Sequence, residues 1–324
     1  MQRIRFREGT DRSRARARGS ALRGVSARLR RDRWLLILAV PGIGIILLFN
    51  YVPLLGNVIA FLDYQPWEGI LGSSWAGLTN FSIIVNGDPQ FLNALANTMV
   101  IFGLQILLVF PAPIALALLL NSLMSDRIKG FVQSVVYLPH FMSWVIVVAI
   151  FQELLGNAGL FNDALRSHGL WTFNLIGNAS LFKELITLQV IWKETGWGTI
   201  LFLAALSRID LSLYEATAVD GASRWQQLWH VTLPGLRAII VLLFILRLGE
   251  VLNVGFEQII LQQGAVGVQA SQVLDTYVYN NGILAGNWGE SAAVGLVKGL
   301  IGLVLVIGAN KVAHLFGERG IYES

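Results

Sequence analysis

Charged and polar side chains inside long apolar runs are the residues of this chain best placed to do chemistry. The set comprises Trp192, Lys193, Glu194, Trp197, Arg247, Glu250, Asn253 and Lys298. A charge at the centre of a bilayer costs at least about 2.5–3.5 kcal/mol, so a charge that persists there usually faces a bundle interior or a wet cavity. Aromatic rings beside hydrogen-bonding groups suit a sugar, which presents apolar CH faces and polar edges. The set therefore predicts a path for a polar solute.

Structural roles compete with this interpretation. Arg247 and Glu250 are three residues apart, so they can share one helix face and neutralise each other. Lys193 and Lys298 have no acidic residue at the third or fourth position on either side, which favours a cross-helix partner or a substrate. The tryptophans could instead pack against lipid or neighbouring helices. Both interpretations stay open for these residues.

Catalytic signatures are absent from the sequence. None of the five lysines stands in a G-x-x-x-x-G-K-[ST] phosphate-binding loop, the four histidines are scattered, and there is no cysteine. No G-x-S-x-G nucleophile motif occurs either. We expect a chain that is not an enzyme, holds no metal or cofactor, and relies on another chain for any ATP and magnesium.

A polar segment between two apolar runs contains the clearest local signals. Ser212 and Glu215 have the spacing of a capping box, and Ser223 and Gln226 repeat it. Asp220-Gly221 predicts a break, because glycine adopts the left-handed conformation at a helix end without steric cost. Pro234 is expected to close the second helix. Trp225, Leu228 and Trp229 share a face of that helix, so the segment predicts a helix–turn–helix gripped by another protein.

This segment resembles the E-A-A-x-x-x-G signature of permease subunits of binding-protein-dependent ABC importers, in the carbohydrate form E-A-A-x-x-D-G-A followed by L-P. The matching residues are Glu215, Ala216, Asp220, Gly221, Ala222, Leu233 and Pro234. Thr217 replaces the second alanine, Leu228 stands where phenylalanine is usual, and Val231 replaces isoleucine. The resemblance extends from about residue 93 to residue 312.

The resemblance implies a type I importer fold in which loop 207–235 couples this chain to a cytoplasmic ATPase. Glu215 and Asp220 would present carboxylates at the docking surface, Gly221 would allow the turn, and Trp225 and Leu228 would fill a groove on the ATPase. The implied partners are a second, homologous permease forming a heterodimer, two copies of the ATPase, an external solute-binding protein, a carbohydrate and membrane lipids. The run from Tyr137 to Val145 resembles the branch for complex oligosaccharides, above all the alginate importer, so an acidic substrate is expected and a neutral oligosaccharide is the rival.

Composition and charge independently indicate an all-α membrane protein. Apolar residues make up 55% of the 324 positions and charged residues 14%, against about 25% charged in soluble domains. Six spans of about 20 residues are predicted at 34–53, 96–121, 131–155, 184–206, 236–262 and 291–312, with Pro139 kinking the third. Twelve of the 24 Lys and Arg residues precede the first span, and none lies between Trp34 and Asp126. This pattern predicts an inner-membrane protein with both termini and the coupling loop in the cytoplasm.

The sequence thus divides into four regions. They are an arginine-rich tail (1–33), the first span with an external loop (34–95), the core with its coupling loop (96–312) and a C-terminal tail (313–324). The tail can act as a topology signal or contact anionic headgroups, whereas nothing in it favours nucleic-acid binding. The alternative function is a stand-alone six-helix carrier or channel without ATP, which leaves the coupling segment unexplained.

Overall fold

The computed structural model describes residues 33–123, 125–315 and 317, and most of them are helical. Within them, five helical stretches are long and apolar enough to cross a membrane, and a bent pair supplies a sixth. The stretches are Arg33–Phe61, Pro89–Asn121, Trp144–Ser167, Arg224–Gly249 and Trp288–Leu315, and the bent pair is Phe182–Leu206 with Leu211–Val219 at 72°. This confirms an all-α membrane protein. The arginine-rich tail before Arg33 lies outside the described residues, as does most of the C-terminal tail.

The chain divides between Val58 and Ile59 into two units. The described part of the first unit begins with α1 (Arg33–Ile46), which continues as a π-helical turn at Leu47–Tyr51 and a 3₁₀ segment at Val52–Phe61. No side chain of α1 is buried, although the helix is almost wholly apolar. An exposed apolar helix of this kind is suited to lipid or to another membrane helix.

The second unit opens with a short segment that contains the two strands. Strand β1 (Leu62–Asp63) pairs antiparallel with β2 (Ser74–Trp75), with Leu62 opposite Trp75. The Asn80 side-chain amide donates hydrogen bonds of 3.0 and 2.8 Å to the carbonyls of Ala60 and Leu62, which ties the segment together. Short helical turns lie at Gly69–Gly72, Thr79–Phe81 and Ser82–Val85.

The remaining elements of the second unit are helices. In chain order they are α2 (Pro89–Leu104), α3 (Pro111–Asn121), α4 (Asp126–Tyr137), α5 (Trp144–Leu155), α6 (Leu160–Ser167), α7 (Phe182–Leu206), α8 (Leu211–Val219), α9 (Leu233–Gly249), α10 (Phe256–Val266) and α11 (Trp288–Leu315). Shorter helical pieces lie at Gln105–Val109, Leu138–Phe141, Arg224–Gln227, Leu228–Thr232, Val268–Ser271, Leu274–Val278 and Tyr279–Leu284.

Two predicted spans are broken in the structure. The predicted span 131–155 is divided into α4 and α5, because the chain forms a 3₁₀ turn at Leu138–Phe141 and Ser143 caps a new helix through the Ile146 amide. Proline lacks the amide hydrogen that a continuous helix needs, so Pro139 separates two helices instead of kinking one.

The predicted span 236–262 also breaks. Helix α9 ends at Gly249, and α10 starts only at Phe256. Gly255 between them has a φ of +116°, a conformation open to glycine but strained for other residues. Glu257 therefore lies on a separate helix, and Asn253 lies in the irregular connection.

The core of the second unit is apolar with a buried polar cluster. Phe182 and Ile186 of α7 pack with Ile259 of α10. Next to them, the Gln189 side-chain oxygen accepts hydrogen bonds from Gln258 at 2.7 Å and Gln262 at 3.0 Å. These hydrogen bonds join α7 to α10 inside the core, although the Gln258 side-chain oxygen is buried without a partner.

Candidate coupling loop and translocation path

The first coupling helix, α8, begins at Leu211, two residues before the start that a cap at Ser212 predicts. Its N-cap is Asp210, whose carboxylate accepts a 2.9 Å hydrogen bond from the Ser212 amide, so the predicted capping box of Ser212 and Glu215 is wrong. Hydrogen bonds from the Ser212 backbone and side chain hold the pKa of the Asp210 carboxyl below its usual range. Because the folded-state pKa is lowered, the cap is fully present at neutral pH and is lost as the pH falls through that value.

The turn after α8 follows the prediction. The helix ends at Val219, and Gly221 has a φ of +77°. The Gly221 amide donates to Ala218 at 3.1 Å and the Ala222 amide to Thr217 at 2.9 Å, so the last carbonyls of the helix are satisfied. Asp220-Gly221 is thus the break that the sequence predicts.

The second helix is correctly capped but does not end where predicted. The Ser223 amide donates to the Gln226 side chain at 2.7 Å, and the Gln226 amide donates to the Ser223 hydroxyl at 3.4 Å. The chain then stays helical from Arg224 to Gly249. Pro234 lies in the first turn of α9 instead of closing a helix, and the π-helical turn Leu228–Thr232 precedes it.

The two coupling helices are tied together by their own side chains. The Tyr214 hydroxyl lies 3.0 Å from the Thr232 hydroxyl, and the Gln227 amide donates to the Tyr214 carbonyl at 3.5 Å. Trp225 and Leu228 line a groove of about 710 Å³ whose other wall is the end of α3. Glu215, Ala216, Asp220 and Gly221 are exposed, Ala222 is half-buried, and Trp225 is 65% exposed. The two coupling helices are therefore joined to each other, and most of the predicted docking residues are exposed.

Lys193 is held in place by protein groups. Its side chain is only 7% exposed, and its ammonium group donates a 2.6 Å hydrogen bond to the His140 carbonyl. It also lies 3.4 Å from the Glu194 carboxylate and 5.5 Å from the centre of the Trp144 ring. Lys193 thus fastens α7 to the turn between α4 and α5.

Glu194 and Trp197 lie beside the same turn. The His140 ring nitrogen Nδ1 is 2.7 Å from the Glu194 carboxylate, and the His140 ring stacks on Trp197 with centres 4.4 Å apart. A Cβ added at Gly196 would overlap the Val136 carbonyl, so only glycine permits this approach of α4 to α7. His140 thereby positions two of the predicted path residues.

Four of the predicted path residues share one groove. It has a volume of about 400 Å³ between α3, α7 and α9, and Glu194, Trp197, Arg247 and Glu250 all line it. Arg247 donates a 3.1 Å hydrogen bond to Glu250, as their spacing allows, and a second hydrogen bond to the Gln105 side chain. We call this space the Trp197 groove. It offers an aromatic ring beside paired charges.

The other predicted residues lie elsewhere. Asn253 and Lys298 line a second groove of about 450 Å³, the Lys298 groove, between the end of α9 and α11. Lys298 forms an ion pair with the Asp275 carboxylate. Asp275 is thus the cross-helix partner that the sequence could not identify. Trp192 packs edge-on against Phe151 with ring centres 5.8 Å apart and lines neither groove. Sequence reasoning missed Gln105 and Asp275, because nothing in the local spacing connects either residue to its cation.

Comparison with known proteins agrees with this architecture. The family of binding-protein-dependent transport system inner membrane components matches residues 109–319. The chain belongs to this family. The polygalacturonan/rhamnogalacturonan transport system permease protein YteP of Bacillus subtilis (strain 168) is 46% identical over 296 residues, which are 91% of this chain and 92% of that protein. A permease of this family is a transport subunit, and the relatives of this one are carbohydrate ABC importer permeases.

Two solved structures share both fold and sequence with this permease. A bacterial alginate ABC transporter in complex with an alginate pentasaccharide-bound periplasmic protein has a chain that is 34% identical, with a TM-score of 0.81 over 91% of this chain and 99% of that one. A bacterial ABC transporter involved in the import of the acidic polysaccharide alginate gives 35% identity and a TM-score of 0.80 over 90% and 98%. The expected type I importer permease fold is therefore confirmed.

Proposed function

We propose that this permease forms half of the membrane path of an ATP-driven importer of acidic oligosaccharides. Its partners are a second, homologous permease, two copies of a cytoplasmic ATPase and an external solute-binding protein that delivers the substrate. The observation that carries the proposal is loop 207–235, in which a capping box and side-chain ties join two helices while Glu215, Asp220 and Trp225 are exposed. A stand-alone carrier would need no such docking surface.

The mechanism follows from how the loop joins the spans. Loop residues from Arg224 onward are continuous with α9, and α9 carries Arg247 at its far end. A movement of the ATPase against the loop is therefore passed along one helix to the Trp197 groove. Both termini and the loop lie in the cytoplasm in this proposal, as the distribution of basic residues favours.

The proposed substrate class is an oligosaccharide of uronic acids. Support comes from the relatives, because the names of YteP and of the two solved transporters refer to polygalacturonan and alginate. The chain itself supplies Trp197, which stacks on His140 and lines the groove beside polar groups. Alginate fragments are the first compounds to test, with oligogalacturonates as close alternatives.

The charges of the path give this proposal a specific requirement. Each predicted path cation has a carboxylate partner: Lys193 with Glu194, Arg247 with Glu250, and Lys298 with Asp275. Paired cations leave little net positive charge for a polyanion. We therefore expect the binding protein and the second permease to supply most of the attraction for substrate carboxylates. If this chain binds the substrate only weakly, the substrate leaves it quickly, which favours rapid transport.

The test is ATP hydrolysis by the purified complex in proteoliposomes, with its external binding protein added empty or loaded. The loading arms are alginate oligosaccharides, oligogalacturonates and a neutral oligosaccharide of the same length. Stimulation by an acidic arm alone supports the proposal. Stimulation by the neutral arm alone would overturn the substrate class but keep the importer. A complex that extracts mildly without any ATPase would overturn ATP-driven import itself.

A further inference from the structure

A fourth groove lies on the membrane-spanning helices and contains none of the predicted path residues. It has a volume of about 660 Å³ and runs between α9 and α11. The residues that line it are Phe110, Arg237, Ile240, Val241, Phe244, Ile245, Leu248, Val304, Leu305, Gly308, Ala309, Val312 and Ala313. Every one of them except Arg237 is apolar. We call it the Arg237 groove.

The groove exists because α9 and α11 are tightly packed at one end only. A Cβ added at Gly302 would lie 2.8 Å from the Gly249 carbonyl oxygen, so the backbones nearly touch there. Six residues further along α11, a Cβ at Gly308 would meet no atom within 4 Å. The space opens toward the end of α9 that joins the coupling loop, and the small side chains of Ala309 and Ala313 leave it unfilled.

The dimensions of the Arg237 groove match one leaflet of a bilayer. Arg237 and Leu248 are eleven residues apart on one helix, which corresponds to about 16 Å at 1.5 Å per residue. The hydrocarbon core of a bilayer is about 30 Å thick, so one leaflet spans about half of that. The single charged group lies at the coupling-loop end, the depth at which a phospholipid carries its phosphate.

We propose that the Arg237 groove binds one anionic phospholipid of the cytoplasmic leaflet. One acyl chain lies along Val241, Phe244 and Ile245, and the Arg237 guanidinium interacts with the phosphate of the headgroup. The position of the headgroup rests on the orientation under "Proposed function", but the site itself depends only on the described residues of α9 and α11. Arginine suits a phosphate because its planar donors can bind two oxygens at once.

For the test, the complex is reconstituted in nanodiscs of phosphatidylglycerol and phosphatidylcholine. Native mass spectrometry then measures which lipids the complex retains. Gly308→Phe fills the groove, and Gly103→Phe is its matched control, because a Cβ at Gly103 on α2 also meets no atom within 4 Å. Arg237→Gln removes the charge, and Arg127→Gln on α4 is the control for a lost arginine outside the groove.

We expect wild type and both controls to retain phosphatidylglycerol, and Gly308→Phe to lose one retained lipid per copy of this chain. Arg237→Gln should reduce the preference for phosphatidylglycerol about fivefold, the factor that corresponds to ~1 kcal/mol for one basic residue near the surface. Equal retention by Gly308→Phe and Gly103→Phe would overturn the site. Lipid retention does not depend on transport, so this result is separate from the outcome of the ATPase experiment.

A cross-linking measurement identifies the occupant directly. The chain contains no cysteine, so Ala309→Cys can carry a photoreactive label at the groove alone. A label transferred mainly to phospholipid supports the proposal. A label transferred mainly to a helix of another subunit would overturn it, because the groove would then be a protein interface.

Discussion

Lys298 combines two roles that are usually separate: it lines a groove with Asn253 and is bonded to the carboxylate of Asp275. The two side chains are 13% and 24% exposed, so neither charge is well solvated. Removal of one member of a buried pair leaves the other uncompensated, whereas removal of both is often nearly neutral. Single and double substitutions can therefore separate the structural contribution of this pair from its contribution to transport.

We expect Lys298→Ala to lower both the amount of assembled complex and the uptake of substrate. The double variant Lys298→Ala with Asp275→Ala should recover assembly, because no lone charge remains, while its uptake stays low if Lys298 acts in the path. Size-exclusion chromatography measures assembly, and radiolabelled uptake in proteoliposomes measures transport. Recovery of uptake together with assembly would limit Lys298 to a structural role.

Lys193 leads to a different expectation, because it is more deeply enclosed. Its ammonium group donates a hydrogen bond to the His140 carbonyl, and Lys193 does not line the Trp197 groove. Loss of a buried hydrogen bond to a charged group costs about 1.5–3 kcal/mol. Lys193→Ala should therefore destabilise the complex by that amount, measured as thermal unfolding in detergent. Lys183→Ala, at the more exposed start of the same helix, is the control and should unfold like wild type.

At the scale of helices, the sequence predicted features that depend on neighbours in the chain. The Ser223–Gln226 capping box and the Asp220-Gly221 turn involve residues three and one apart, and both are present. Asp210 and Ser212 are both good N-cap residues. The capping-box spacing favoured Ser212, whereas Asp210 is the cap in the structure. The breaks near Pro139 and Gly255 were missed because apolar residues continue on both sides. The pairing of Lys298 with Asp275 depends on how α11 packs in the folded chain. No local sequence pattern predicts that packing.

The turn between the coupling helices can be tested with a matched pair of glycines. Gly221 and Gly169 have φ values of +77° and +69°, and a Cβ at either would meet no atom within 4 Å. Aspartate imposes the same backbone strain at both positions. We expect Gly221→Asp to insert and assemble but to hydrolyse ATP without transport, whereas Gly169→Asp, outside the coupling loop, should transport normally. Equal transport by the two variants would contradict the coupling role of loop 207–235.

At the scale of the whole molecule, the charge pattern and the coupling loop make one joint prediction about orientation. Residues 34–126 contain no Lys or Arg, whereas Arg208 lies just before the first coupling helix and Arg224 begins the second. Positive residues accumulate on the cytoplasmic side. Asn86 and Val219, both exposed, should therefore lie on opposite sides of the membrane.

The absence of native cysteines makes this measurable with single-cysteine variants in intact cells. A thiol reagent that cannot cross the membrane should label Asn86→Cys at once and Val219→Cys only after permeabilisation. The exposed fraction of Val219 is 88%, so poor labelling cannot be attributed to burial in this chain. Labelling of Val219→Cys from outside would reverse the orientation, and a cytoplasmic ATPase could then not reach the loop. Protection of Val219→Cys after permeabilisation, relieved when the ATPase is stripped from the complex, would locate the docking surface on α8.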